Sequence, residues 1–415
     1  MRKDDPGTDN NSASLNACLK EKRILICVGS GGVGKTTTSA VLAIQGALLG
    51  RKSIVCTVDP ARRLANSLGV ASLEDEAKFI DPERFRSVGL EPLAPMSAMM
   101  LDMKNAFDRM VARYTDDLEQ RKKILNNRFY NYFSSSLAGA QEYSAMERLH
   151  ELYCANEYDL IVVDTAPTAY ALDFIEAPQR MIRAIESGAF RWLASRGKES
   201  PKFSLGLLRL GAGYLIKVLS VFIGAAFIDE FGAFVESFGG LWEGFKERAK
   251  EVQRILGSDD AAFLIISASD PVSLHEAKYI HQRLEEAALP IAGIVVNRVH
   301  QAFVPQPVLA SDPREVEKRL VKKIGRELGD HHNGQELAGL AEHLLENARD
   351  FHVLAERDAK MLRWLDQAIN GRTPIYGAPF FSSDIHSFAG LNKIRREIFE
   401  PLGARSAAER TLGRL

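Results

Sequence analysis

A glycine-rich loop near the N-terminus restricts the fold of this chain more than any other feature. The stretch ICVGSGGVGKTTTSA at residues 26–40 contains the pattern G-x-x-x-x-G-K-[ST], and the apolar run RILICVG leads into it. A helix-forming stretch from Thr36 to Leu49 and a second apolar run, SIVCTVD at residues 53–59, follow the loop. A strand, a loop, a helix and a strand in this order predict a βαβ unit.

Three further apolar runs extend this unit into a sheet. They are YDLIVVDTAP at residues 158–167, AAFLIISASD at residues 261–270 and AGIVVNRV at residues 292–299. Apolar runs without polar alternation are typical of parallel strands that are buried on both faces. We therefore expect an α/β fold: a doubly wound, mostly parallel sheet of the P-loop type that carries an inserted α-helical subdomain.

The segments around these strands predict the domain layout. Residues 1–20 are expected to form a disordered lead-in, and residues 21–415 a single P-loop domain. Helical inserts are expected at about residues 92–152 and 178–256. The charged stretch at about residues 313–370 is expected to form a solvated helical pair or an arm against the core, without chemistry of its own.

The second insert combines an apolar segment with an aromatic stripe. Residues 203–228 are apolar apart from Arg209 and Lys217. These charges and several glycines interrupt the run of about twenty apolar residues that a transmembrane helix needs. Aromatic residues then recur at spacings of three and four, which places them on one helix face; they are Phe227, Phe231, Phe234, Phe238, Trp242 and Phe245. Two interpretations stay open: these helices form the core of the subdomain, or part of their apolar surface receives a partner.

The charge balance and the cysteines argue against several classes of protein. A formal net charge of −1 argues against a broad nucleic-acid-binding surface, which needs a basic surplus. The N-terminal MRKDDPGTDNNSASLNA has acidic residues where a signal peptide needs an apolar core, so a cytoplasmic protein is expected. The four cysteines form no C-x-x-C pair and the histidines have no zinc-ligand spacing, so neither a disulfide framework nor a zinc site is expected.

The glycine loop predicts a site for the phosphates of a nucleotide. Glycines place no Cβ between the backbone N–H groups and a phosphate, and the following helix directs its positive N-terminal dipole at the same anion. Lys35 would bind the β- and γ-phosphates, and the Thr36 hydroxyl would ligate Mg²⁺. The residues expected to bind the nucleotide here are Gly29, Ser30, Gly31, Gly32, Val33, Gly34, Lys35, Thr36 and Thr37.

Two aspartates at strand ends would complete the chemistry. Asp164 ends LIVVD and Asp59 ends SIVCTVD, and both would contact the magnesium ion through water. Asp59 would also orient the attacking water. The alternative for each is an aspartate that only caps the next segment. Ligands bind at the carboxyl edge of such sheets, which favours the functional interpretation.

Several motifs together resemble the arsenite-pump ATPase family, which includes the ATPases that target tail-anchored membrane proteins. They are GGVGKTT at residues 31–37, DPA at 59–61, DTAPT at 164–168, SASDPVSLHEAKYIHQRLEEAALPIAGIVVNRV at 267–299 and APFFSSDIHSFAGL at 378–391. The resemblance implies a deviant Walker A motif, ATP as the substrate, Mg²⁺ as the cofactor, and a dimer whose closure follows the nucleotide.

The resemblance also implies roles for individual residues. Asp59 would act on the hydrolytic water, and Asp164 would begin the second switch segment. Asn297 would read the adenine, with Pro379 beside it. Glu276 stands at another marked position of the family's late strand-helix-strand.

The chain departs from the family's pattern at two points. Family members carry a lysine that reaches the nucleotide across the dimer where this chain has Ser30, which supplies no positive charge. Arg62, Arg63 or a paralogous partner chain are candidates to replace it, although both arginines are equally well interpreted as surface residues. The chain also lacks a cysteine set for arsenite and the paired cysteines of a dimer-bridging zinc site, so neither feature is expected.

Three hypotheses about function follow from these observations. The first is a Mg²⁺-dependent ATPase, homodimeric or paired with a paralogue, that opens and closes a helical subdomain around a hydrophobic client or a membrane-associated partner. The second is a nucleotide-gated assembly module that hydrolyses ATP weakly or not at all. The third, a partitioning ATPase, should carry a basic stripe or a basic amphipathic terminal helix, whereas the tail ARSAAERTLGRL is short and only mildly basic.

Overall fold

A parallel sheet forms the centre of the computed structural model, which describes residues 15–58, 62–128, 130–131, 134, 140–165, 183, 242–302, 312–328, 333–382 and 384–400. The strands within these ranges are β1 (Ile24–Val28), β2 (Ser53–Thr57), β3 (Lys78–Phe79), β4 (Met96–Met100), β5 (Leu160–Asp164), β6 (Ala261–Ala268), β7 (Ile291–Val299) and β8 (Ile375–Pro379). They lie in the order β3-β4-β2-β5-β1-β6-β7-β8. Every pair is parallel except β3 with β4.

Helices connect these strands. They are α1 (residues 15–21), α2 (Lys35–Leu48), α3 (Arg63–Leu68), α4 (Pro82–Arg86), α5 (Met103–Tyr114), α6 (Leu118–Leu125), α7 (Ala140–Ala155), α8 (Trp242–Leu256), α9 (Pro271–Glu286), α10 (Pro313–Leu328), α11 (Gly334–Ala368) and α12 (Phe388–Phe399). The expected α/β architecture with a mostly parallel sheet is confirmed.

Both faces of the sheet are covered, which explains why the central strands are apolar throughout. Leu25 and Cys27 of β1 contribute to a core shared with α2 and α12. Ile24, Ile26 and Val28 contribute to the opposite core, which also takes in residues of α7, α8 and α9. Because side chains alternate between the two faces of a strand, a strand between two cores has no solvent-facing position for a polar residue.

The structure corrects two of the expected boundaries. Residues 15–20, expected in a disordered lead-in, belong to α1, whose Leu15 and Leu19 are fully buried. Their spacing of four residues places both on one helix face, which packs on the core. Within the first expected helical insert, Met96–Met100 forms strand β4 beside β2. Its sequence, MSAMM, lacks the β-branched residues of the five runs from which strands are predicted.

The charged stretch near the C-terminus forms α10 and α11, which pack against each other. Asn333 and Glu336 form a capping box that fixes the start of α11. Residues 203–228 and the aromatic stripe from Phe227 to Phe238 lie outside the described ranges. Within those ranges, no helix combines the length and the apolar character required to cross a membrane.

Candidate nucleotide-binding site

The glycine loop joins β1 to α2, and two of its glycines are required by close contacts. A Cβ on Gly29 would lie 2.0 Å from the carbonyl oxygen of Ile266 in β6. Gly34, which precedes α2, has a left-handed φ of 96°, and its Cβ would lie 2.7 Å from the side-chain nitrogen of Asn297. Only glycine lets the loop follow this path between its neighbours.

Lys35 lies inside the loop rather than in solvent. Its side chain is only 6% exposed, and Nζ donates hydrogen bonds to the carbonyl oxygens of Gly29 at 2.9 Å and Ser30 at 2.7 Å. The loop's own carbonyl groups therefore hold the ammonium group beside the cavity that Lys35 lines. The loop thus supplies one cation within reach of an anion bound there.

Thr36 and Asp164 are in direct contact. Oδ2 of Asp164 accepts hydrogen bonds from the Thr36 hydroxyl and from the Thr57 hydroxyl, each at 2.7 Å. Asp164 is fully buried, and the parallel register of β2 and β5 places Thr57 beside it. A hydroxyl and a buried carboxylate that meet beside a phosphate-binding loop are oxygen donors of the kind that Mg²⁺ prefers, so these residues fit the expected ion.

Thr57 was not recognised from the sequence. It is the last residue of β2, SIVCT, whose central residues are apolar. A polar residue at the carboxyl end of a predicted strand was the signal that could have indicated a role for Thr57 in the site. Thr165 was also missed; its hydroxyl donates to the carbonyl oxygen of Cys27 at 2.8 Å and fixes the exit of the chain from β5.

Asn297 connects the end of β7 to the loop. Its side-chain nitrogen donates to the carbonyl oxygen of Val33 at 2.8 Å and to the Thr38 hydroxyl at 3.3 Å. These contacts hold the loop and the first turn of α2 in place. Both N–H groups of the amide are used there, and Oδ1 is the atom that remains as an acceptor for a ligand.

A cavity of about 740 Å³ opens above the loop and brings most of the expected residues together. Its lining comprises residues 32–37, Arg63, Asn66, Ser67, Thr165, Asn297, Arg298, residues 378–382, residues 384–386 and Ile394. Asn297 and Pro379 thus share one cavity with Lys35 and Thr36. Of the two candidate arginines, Arg63 lines this cavity and Arg62 does not. Asp59 lies outside the described residues.

The first half of the loop faces α9 rather than the cavity. The Ser30 hydroxyl donates a hydrogen bond to Oε2 of Glu276, which is exposed on α9. The position at which the family's pattern has a lysine therefore holds a hydroxyl beside a carboxylate. The local charge at this point of the loop is negative, not positive.

Comparison with known proteins, like the site, points to an ATPase. Residues 22–192 match the family model of the anion-transporting ATPases. The chain is 25% identical over 328 residues to the ATPase GET3 of Malassezia globosa, an alignment that covers 78% of this chain and 86% of the relative. It is 25% identical to the ATPase get3 of Aspergillus terreus (75% and 82% covered) and 26% identical to the ATPase GET3 of Kluyveromyces lactis (65% and 70% covered). The glycine loop and these relatives point the same way, and the chain is similar to the anion-transporting ATPases over residues 22–192 and to the GET3 ATPases over most of its length.

Proposed function

We propose that this ATPase depends on Mg²⁺ and that its loop, Thr36 and Asp164 form the catalytic centre. The observation that carries the proposal is the hydrogen bond between Thr36 and Asp164, next to a loop that encloses the Lys35 ammonium group. Thr36 would ligate the ion, and Asp164 would orient Thr36 and hold the ion through water. Bound Mg²⁺ would offset the charge of the phosphates and polarise the phosphorus under attack.

In the proposed mechanism, binding of ATP exchanges the contacts of Lys35. The ammonium group leaves the carbonyl oxygens of Gly29 and Ser30 for the β- and γ-phosphates, because hydrogen bonds between two charged groups are stronger. Backbone N–H groups of residues 31–36 surround the phosphates. Asp59 orients a water molecule, whose oxygen bonds to the γ-phosphorus as the bond to the β–γ bridging oxygen breaks. ADP and phosphate leave, and a proton passes to solvent.

We propose further that the nucleotide state moves the second helical insert. Asp164 ends β5, and the second insert follows it in the chain. Helix α8, at the far end of the insert, contains Trp242 and Phe245 of the aromatic stripe and leads back into β6. A change at Asp164 would act on the insert through the strands that flank it, and the aromatic stripe would handle a hydrophobic client or a membrane-associated partner.

Phosphate release from Mg²⁺–ATP by three purified variants tests the catalytic proposal. Lys35→Ala should lose both binding and turnover, and Asp59→Asn should retain binding and lose turnover. Lys322→Ala, on the exposed side of α10, is the control and should match the wild type. Turnover by Lys35→Ala at the wild-type rate would overturn the proposed centre, and turnover by Asp59→Asn would remove the role of Asp59.

The contact between Ser30 and Glu276 favours a second candidate. Without a cation at this position, the chain would act as a nucleotide-gated assembly module with little hydrolysis, or as the partner of a paralogous chain in a heterodimer. A single-turnover measurement separates these functions. Decay of bound ATP within seconds to minutes supports the enzyme, whereas ATP that persists on the purified chain supports the module. Decay only after a paralogue is added supports the heterodimer.

A further inference from the structure

Arg298 has an unusual backbone conformation at the end of β7. Its φ is 59°, in the left-handed region that residues other than glycine seldom adopt. The residue is exposed and lines the same cavity as the glycine loop. Among the described residues, no side chain or backbone group forms a hydrogen bond or an ion pair with its guanidinium group. Arg298 thus lines the cavity from a strained backbone position, and its guanidinium group has no partner among the described residues.

Hydrogen bonds on both sides hold this conformation. The Ser269 hydroxyl donates to the carbonyl oxygen of Arg298 at 2.9 Å, and the Ser269 N–H donates to that of Asn297 at 3.1 Å. On the other side, the Phe380 N–H donates to the carbonyl oxygen of Val299 at 2.9 Å. Strained residues of this kind persist where the surrounding structure fixes them, and they cluster at functional sites.

The irregularity changes the direction of one side chain. The register between β7 and β8 shifts between Val296 and Val299. In a regular strand, consecutive side chains point to opposite faces, yet Asn297 and Arg298 both line the cavity. A local break in a ladder is a common means of re-aiming a side chain beside an active site. Here the break brings two consecutive residues, Asn297 and Arg298, to the lining of one cavity.

The strand order separates Arg298 from the strand that leads into the loop. β7 is the second strand from β1 on that side, so the two strand ends lie roughly 10 Å apart at the usual strand spacing, and Val33 in the loop reaches across to Asn297. β8 is one strand further and ends next to Phe380. A nucleotide whose phosphates fill the loop and which extends along this edge brings its base, not its phosphates, to β7 and β8.

Phe380 provides a flat surface near the same edge. Its side chain is 44% exposed and lines the cavity, and the His300 ring stacks on it with centroids 5.1 Å apart and planes 17° apart. His300 is itself held by the fully buried Asp358, whose Oδ2 lies 2.8 Å from Nδ1. A ring fixed in this way and a guanidinium plane are the two types of group on which purine bases stack.

We propose that Arg298 stacks on the purine base of the bound nucleotide and thereby positions it. The inference rests on the proposed nucleotide function of the cavity and adds a residue to it. A guanidinium plane suits this role better than an ammonium group, because it offers a flat, weakly hydrated face to the base. The phosphates remain the ligands of the loop and Lys35.

Binding measurements with two probes test the proposal. The affinities for Mg²⁺–ATP and for inorganic tripolyphosphate with Mg²⁺ are measured by calorimetry for the wild type, Arg298→Asn and Arg298→Lys. Asparagine accepts the left-handed conformation, so the strand end is preserved. Arg298→Asn should weaken ATP binding by about 3- to 30-fold, the range for a cation–aromatic contact, and leave tripolyphosphate binding unchanged. Arg298→Lys should recover only part of the loss. Arg254→Lys, on the exposed side of α8, is the control.

The outcomes distinguish this inference from the proposed function. Equal weakening of ATP and tripolyphosphate, with full recovery in Arg298→Lys, would assign Arg298 to the phosphates and overturn the proposal. Unchanged ATP binding by Arg298→Asn would overturn it as well, while the loop function stands if Lys35→Ala abolishes binding. A wild-type chain that binds neither probe would remove both proposals.

Discussion

The phosphate edge, formed by the glycine loop, Thr57 and Asp164, and a layer of charged residues on α5, α7 and α8 each contain a buried carboxylate, but the two carboxylates, Asp164 and Glu147, are stabilised differently. At the phosphate edge, Asp164 accepts two hydroxyl hydrogen bonds at 2.7 Å from short side chains. In the charged layer, the nearest cations to the Glu147 carboxylate are Arg248 at 3.3 Å and Arg113 at 3.7 Å. Neither oxygen of Glu147 accepts a hydrogen bond from another described residue.

The charged layer comprises eight residues from three helices. They are Arg109 and Arg113 of α5, Glu147, Arg148, His150 and Glu151 of α7, and Arg248 and Glu251 of α8. Asp75, in the segment after α3, also pairs with Arg109 and joins that segment to the layer. Helix α7 leads into β5, and α8, which ends the second expected insert, leads into β6, so the layer joins helices that precede two strands of the sheet.

The weaker stabilisation of the Glu147 carboxylate appears in its pKa. Burial raises the pKa of this carboxyl to about 6, and the attraction of Arg248 and Arg113 does not fully offset that effect. Buried ion pairs stabilise a fold only when their geometry and hydrogen bonds compensate for lost hydration. Asp164 at the phosphate edge is thus fixed by short hydrogen bonds, whereas Glu147 in the charged layer is held by longer ion pairs and is more sensitive to the loss of one partner.

The largest effect is expected when the charged layer loses a cation. Arg248→Leu leaves the Glu147 carboxylate with Arg113 at 3.7 Å and also removes contacts to His150 and Tyr114. The free energy of unfolding in urea should fall by about 3 to 5 kcal/mol, as for other buried pairs that lose one partner. The affinity of the folded chain for Mg²⁺–ATP should stay unchanged, because the loop lies apart from this layer.

Two further variants sharpen this test. Arg319→Leu, which breaks an exposed pair with Glu315 on α10, should change stability by no more than about 1 kcal/mol. The double variant of Glu147→Leu with Arg248→Leu should be more stable than the sum of the two single losses predicts. Additive losses would contradict the view that the two side chains stabilise each other.

The second prediction concerns the geometry of the phosphate edge. Gly29→Ala places a Cβ 2.0 Å from a backbone oxygen of β6, so the loop must move. We expect nucleotide affinity to fall on the order of 100-fold, since a displacement of about 1 Å has such an effect in preorganised sites. Gly89→Ala is the matched control, because Gly89 also has a positive φ, of 75°, but no atom lies within 4 Å of the added Cβ. Similar affinities for the two variants would show that the fit of Gly29 against Ile266 does not matter.

The two regions also differ in how far the sequence predicts them. The loop, Lys35, Thr36 and the strand end at Asp164 follow from contiguous motifs, and the structure brings them together. The contact of Thr57 with Asp164 depends on the register of β2 and β5, which no local pattern records. The charged layer joins Arg109 to Glu151 and Glu147 to Arg248 across long stretches of chain, so only helix packing reveals it. Strand β4 is not predicted from the sequence for a local reason, because its residues, MSAMM, are rich in methionine.

The smallest expected effect is a pH dependence that belongs to Glu147. An ordinary glutamate has a pKa of 4.5, and that of Glu147 in the fold is about 6. Between these values the folded chain binds a proton that the unfolded chain does not, so this group makes the fold more stable as the pH decreases from 7 to 5. The gain amounts to about 1 kcal/mol over that range.

Glu147→Gln isolates this term, because the glutamine is neutral at every pH. His150, whose pKa is lowered by burial and by Arg248, is present in both proteins. The difference in unfolding free energy between wild type and Glu147→Gln should therefore shift by about 1 kcal/mol in favour of the wild type between pH 7 and pH 5. Urea titrations of both proteins at pH 7, 6 and 5 measure this difference. A constant difference would mean that the Glu147 carboxyl ionises as it does in water, and that the two regions hold their carboxylates equally well.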